Sequence, residues 1–136
     1  MGGKLIKSWN LIGNLEMGYV CRDIACSNNK IFVLDSYKNL IYVYSYEEKL
    51  ITSWSKSRYD EDFWCLFKIT AFQNIVFIIG VGIPPKIQIF THYGKLISEY
   101  EFDNLINVSS MTISDNYVYV GQCDNHRITK YKLIYD

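Results

Sequence analysis

Lys4-Leu5-Ile6-Lys7-Ser8-Trp9 recurs as Lys49-Leu50-Ile51-Thr52-Ser53-Trp54 and again as Lys95-Leu96-Ile97-Ser98-Glu99-Tyr100, at steps of about 45 residues. Self-similarity at such a period marks an array of supersecondary units. Between the copies the same order of short runs repeats. An inner run comes first, at 18–26, 65–71 and 108–113. A turn follows, Ser27-Asn28-Asn29, Phe72-Gln73-Asn74 and Ser114-Asp115-Asn116. Next come 30–34, 75–79 and 117–120, then a loop, then 40–44, 86–90 and 128–131. The Lys-Leu-Ile run closes the unit.

Runs of four to seven residues rich in Ile, Val, Tyr and Phe, bounded by Gly, Asn, Asp and Ser, read as strands. Asn29, Asn74 and Asn116 hold one place in the three copies, and asparagine tolerates the left-handed backbone of tight hairpins. Ile31-Phe32-Val33-Leu34 and Ile75-Val76-Phe77-Ile78-Ile79 are apolar on both faces. A sheet with one wet face would alternate, so these strands belong to sheets packed on both sides. No stretch sustains a 3.6-residue period, and almost no helix is expected. Four antiparallel strands per period, stacked face to face, describe an all-β chain of β-propeller blades.

The segment Tyr117-Val118-Tyr119-Val120-Gly121-Gln122-Cys123-Asp124-Asn125-His126-Arg127-Ile128 resembles the strand–loop–strand core of the NHL-repeat and related six-bladed propellers, which ends in Asn-His-Arg-Ile. The first copy keeps Ile31-Phe32-Val33-Leu34-Asp35-Ser36 and Asn39-Leu40-Ile41. The second departs furthest, with Gly80-Val81-Gly82-Ile83-Pro84-Pro85-Lys86 in place of the polar loop. The resemblance implies structure rather than a specific activity. A WD40 signature of Gly-His and Trp-Asp is missing.

The chain reads as one half-propeller domain, 1–136. It has an outer strand at 4–9, a first blade at about 18–54, a second at about 65–100, and a third at about 108–131 without its outer strand. Propellers have four to eight blades, and sheets stack about 10 Å apart. Three blades turning about 120° each could not pack that way. Open first and last blades would expose large apolar faces, which mark association surfaces. Closed two-fold dimers dominate among oligomers. The expectation is a homodimer forming one six-bladed propeller, in which residues 4–9 of each copy complete the third blade of the other. The alternatives are a nine-bladed trimer and a piece of a longer single-chain propeller.

The 14 basic and 14 acidic residues cancel to a net charge of zero, without the basic excess of a nucleic-acid binder. No apolar run reaches 18 residues, so no membrane span is expected, and no secretory h-region follows Met1. Position 6 is Ile rather than the Ser or Thr of a myristoylation signal. Cys21, Cys26, Cys65 and Cys123 form no Cys-x-x-Cys pair, and His92 and His126 are the only histidines. No zinc site or other cofactor is expected. The cysteines read as buried, reduced thiols of a cytoplasmic protein.

Function on such a scaffold sits in the loops of one face and at the channel mouth. The loop at 55–63 is the most polar and aromatic, and Arg58, Tyr59, Asp60, Glu61 and Asp62 are its candidate partner contacts. Arg22 and Asp23 lie on an innermost strand, as a channel pair or as an internal ion pair or backbone cap. His126 and Arg127 lie on the loop face, as ligand contacts or as structural turn residues. No nucleophile–base context, phosphate loop or paired-carboxylate signature is recognisable. The leading expectation is a non-catalytic interaction module that binds a protein partner. A ligand- or carbohydrate-binding oligomer, using aromatic stacking, is the second. A propeller hydrolase or lyase with a channel site is the third, although only Asp23 is placed to hold a metal there.

Overall fold

A computed structural model describes residues 2–9, 21–35, 39–55, 65–81, 86–101, 108–122 and 126–132. The described residues form eleven strands and no helix. β1 (Cys21–Ser27), β2 (Lys30–Asp35), β3 (Leu40–Ser45) and β4 (Leu50–Ser55) make one antiparallel sheet in chain order. β5 (Cys65–Phe72), β6 (Ile75–Val81), β7 (Lys86–Thr91) and β8 (Leu96–Glu101) make the second. β9 (Val108–Ser114), β10 (Tyr117–Gln122) and β11 (Arg127–Lys132) make a third sheet of three strands. Each sheet is a blade, and the whole is a propeller-like all-β fold with three blades in the chain. No described helix is long and apolar enough to cross a membrane.

The turns work as the asparagines suggest, with one shift. Two-residue turns join Ser27 to Lys30, Phe72 to Ile75 and Ser114 to Tyr117. In the first copy both turn residues, Asn28 and Asn29, have positive φ. In the other copies the left-handed residue is Gln73 or Asp115, one place before the shared asparagine. In two of three copies the left-handed position thus falls one residue before the shared asparagine.

The Lys-Leu-Ile run has a physical meaning that spacing does not reveal. In β3–β4 the register passes from Val43↔Thr52 to Tyr44↔Leu50, so Ile51 is an extra residue. In β7–β8 it passes from Ile89↔Ser98 to Phe90↔Leu96, so Ile97 is the extra residue. The repeated isoleucine is a β-bulge, which bends an edge strand and raises its twist. A second bulge recurs on the inner strands, at Arg22, Phe67 and Ser109.

Alternation along the strands divides each blade into two faces. Phe32, Leu34, Ile41, Val43 and Trp54 of the first blade meet Ile69, Val76, Ile78 and Phe90 of the second. The other face of the second blade, with Phe77, Ile79, Ile87 and Ile89, meets Val118 and Val120 of the third. The middle strands β2 and β6 are accordingly apolar on both faces. The third blade departs from the expected apolar outer face. Its outward residues are Ser110, Thr112, Ser114, Tyr117, Tyr119, Ile128, Lys130 and Lys132, a mixed polar surface. Lys130 Nζ lies 4.0 Å from the centre of the Tyr117 ring. Valine alternating with tyrosine in β10 gives the strand one apolar face and one mixed face.

Candidate interaction site

The first two blades are bound by polar contacts along their inner strands. Asp23 Oδ2 accepts the Ile69 backbone N–H at 2.9 Å. Ser27 Oγ donates to the Gln73 carbonyl at 2.9 Å, and Asn28 Nδ2 donates to Asn74 Oδ1. All three span 46 residues, each reaching one residue past its counterpart in the next copy. Asp23 thus acts as a cross-blade backbone acceptor. Arg22 contributes its backbone to the β1 bulge, and its side chain lies outside the described residues. His126 has φ 48° and Asn39, at the matching place before β3, has φ 53°. Both serve as left-handed turn residues that deliver the chain into the third strand of a blade. Arg127 opens β11 and is exposed. Arg58, Tyr59, Asp60, Glu61 and Asp62 lie outside the described residues. Among the described residues no three His, Cys, Asp or Glu side chains gather as a metal would require.

The outer part of the same junction is built around His92, which the sequence offered only as an unlikely ligand. It is 3% exposed, with its ring edge on Phe32 at 4.8 Å between centroids. Lys30 Nζ lies 3.4 Å from Nδ1. Its carbonyl accepts the Trp54 indole N–H at 3.0 Å, and Trp54 also packs against Phe90. Trp54, the aromatic that ends the second Lys-Leu-Ile run, therefore seats on the β7–β8 turn of the following blade. Burial, and then the Lys30 ammonium, push the His92 pKa below its ordinary 6.5, partly opposed by the Gln73 backbone. The unfolded chain takes up this proton first as pH falls. Stability is then full above about pH 6.5 and declines below it, towards the lowered folded value. Urea titrations at pH 7.5 and 5.5 should show this decline, and His92→Gln should flatten it. An equal slope in both proteins would remove His92 as the cause.

The two outer blades present unlike surfaces. On the first blade, Val33, Tyr42 and Tyr44 are buried on the face turned away from the second. Beside them Ile24, Ala25, Cys26, Ile31 and Tyr46 line an open groove of about 330 Å³. Cys26 is exposed, contrary to the buried thiol expected of it, because its position in β1 alternates onto this outward face. The adjacent Cys26 sulfur, chiefly through its charge, raises the Tyr46 pKa. On the third blade β11 is an outermost strand, with no fourth strand beside it among the described residues.

Residues 2–9 adopt no strand within this chain, so the outer strand expected at 4–9 pairs with none of its own sheets. Leu5 is 81% and Ile6 92% exposed, and Trp9 is 42% exposed. The segment is nonetheless anchored: Lys7 forms an ion pair with Glu48 in the β3–β4 turn. Glu48 stands left-handed, φ 68°, where the second blade has Gly94.

No protein-family model matches the chain, and no curated protein matches it. Solved structures do. The computationally designed Ika4 protein is similar at 11% identity and a TM-score of 0.51, over 93% of this chain and 99% of that one. Hsv2 of Kluyveromyces lactis is similar at 17% identity and a TM-score of 0.57, over 82% of this chain but 32% of its own. A protein of unknown function from Bacteroides caccae is similar at 14% identity and a TM-score of 0.52, over 88% of this chain and 48% of its own. The chain thus spans about a third and about half of the last two. These likenesses show the fold alone.

Proposed function

We propose that this chain is a non-catalytic interaction module that works as a six-bladed ring of two copies, in the manner of the NHL-like propellers its third repeat resembles. The observation that carries this reading is a mismatch within one chain. Among the described residues the third blade has no outer strand, while a segment with the outer-strand sequence lies unpaired at residues 4–9. An unpaired sheet edge is a template for another chain, and two copies would close both open ends at once. The assembled ring would present its loop face, with the loop at 55–63, to a protein partner in the cytoplasm.

A ring that folds only as two copies has a stability tied to protein concentration. The melting temperature should therefore rise as the protein is concentrated from about 1 to 100 µM, where mass action alone adds roughly 2.7 kcal/mol for a hundredfold change. A midpoint independent of concentration would contradict the two-copy ring. Replacing residues 55–63 with a short Gly-Ser loop should abolish partner capture and leave the mass unchanged. Unchanged capture would exclude that loop as the contact.

A further inference from the structure

We infer that each copy grips the third blade of the other in a pincer, whose jaws are residues 4–9 and the groove of Ile24, Cys26, Ile31 and Tyr46. The inference rests on the two-copy ring and adds how the copies join. Its basis is the first junction within the chain, which supplies a template for the junction between chains.

In that template the outer strand of one blade seats its aromatic on the turn of the next. Trp54 of β4 packs on the turn that holds His92 and Gly94. Trp9 is the repeat counterpart of Trp54, and residues 46–48 are the counterpart of that turn on the first blade. Lys7 is already paired with Glu48. Residues 4–9 therefore lie beside the first blade of their own chain, where the outer strand of a preceding blade belongs. The preceding blade in a two-copy ring is the third blade of the other copy, and that blade has the open β11 edge.

The ladder register follows from the two complete blades. Ile41 faces Trp54 and Ile87 faces Tyr100, so Ile128 faces Trp9. Thr129 then faces Ser8, Lys130 faces Lys7, and Ile6 takes the bulge place of Ile51 and Ile97. This register sets Ile128, 76% exposed, and Trp9 side by side against the first blade, so both would be covered. It also sets two lysines opposite each other, which is unfavourable alone. Glu48 supplies the compensating charge, since it already holds Lys7. Glu47 and Glu48 on this turn face a β11 that carries Arg127, Lys130 and Lys132, so the surfaces are complementary in sign. Strand addition of this kind draws affinity from main-chain hydrogen bonds and specificity from the side-chain seats.

The test is a disulfide between directly opposite residues, whose Cβ atoms stand about 4.5–5.5 Å apart. In a Cys26→Ser background, Ser8→Cys with Thr129→Cys should give a covalent dimer under oxidation. The out-of-register pair Ser8→Cys with Lys130→Cys, on opposite faces, should not. Removing residues 2–9 should leave a monomer at micromolar concentration. Two outcomes overturn the pincer while sparing the ring: a dimer without the in-register cross-link, or a truncated chain that remains dimeric; a cross-link within one chain overturns both. A wild-type monomer overturns the ring itself, and the pincer with it.

Discussion

Phe32→Ala should cost about 3–5 kcal/mol of folding stability, the range for deleting a buried aromatic ring. Phe32 is 0% exposed and lies in β2 with Leu34, where the first blade faces the second. Its ring also supports the edge of His92 at 4.8 Å. Two factors place the effect high in its range. The lost volume lies between two close-packed sheets whose backbones are held by their own ladders, so collapse onto the gap is restricted. The ring also shields a histidine that is costly to charge while buried. Small domains have only about 5–15 kcal/mol in total, so the variant should be largely unfolded on warming. Phe32→Leu, which keeps most of the volume, should lose under about 1.5 kcal/mol. Urea denaturation of the three proteins at one concentration decides the matter. A loss below about 1 kcal/mol for Phe32→Ala would mean that this junction is not a packed core.

The strands themselves were legible because burial on both faces forces continuous apolar runs, and Ile31-Phe32-Val33-Leu34 is such a run. The hairpins were legible because their turns need residues that accept positive φ. What escaped the sequence depends on which face meets which neighbour. Cys26 looks like a core thiol by residue type, yet alternation in β1 turns it outward. Asp23 reads as a channel residue or as a backbone cap, and only the one-residue offset between β1 and β5 brings it to the Ile69 N–H. No local spacing encodes that offset. His92 sits in a turn of ordinary composition, and its burial follows only from the approach of Phe32 and Trp54 across a blade junction. The repeated isoleucine reads as a strand residue, and only the ladder shows it as the bulge. Arg58 to Asp62 lie outside the described residues and remain part of the proposed loop contact.

Gly94→Ala should destabilise by about 2–4 kcal/mol. Gly94 has φ +91°, a conformation that costs an alanine roughly 1–2 kcal/mol. An added Cβ would stand 2.7 Å from Trp54 Cγ and Cδ2, and overpacking of this sort adds about 1–3 kcal/mol. The indole cannot retreat freely, since its N–H is held by the His92 carbonyl. The counterpart variant has the opposite sign. Glu48 carries φ 68° in the matching turn, so Glu48→Gly removes about 1 kcal/mol of backbone strain. The exposed Lys7 pair it gives up is worth about 0–1 kcal/mol. The same glycine-favouring place should thus yield a large loss in one blade and a change near zero or a small gain in the other. If Gly94→Ala were tolerated within about 0.5 kcal/mol, the seat of Trp54 on this turn would be wrong. The template for joining two copies would fall with it.

In the proposed ring of two, three blades in one chain become six. Its most direct measurement is the mass in solution by light scattering, at micromolar concentration and pH 7.5. A ring of two gives a single species of twice the 16.0 kDa chain mass. A monodisperse, folded species of one chain mass would contradict it.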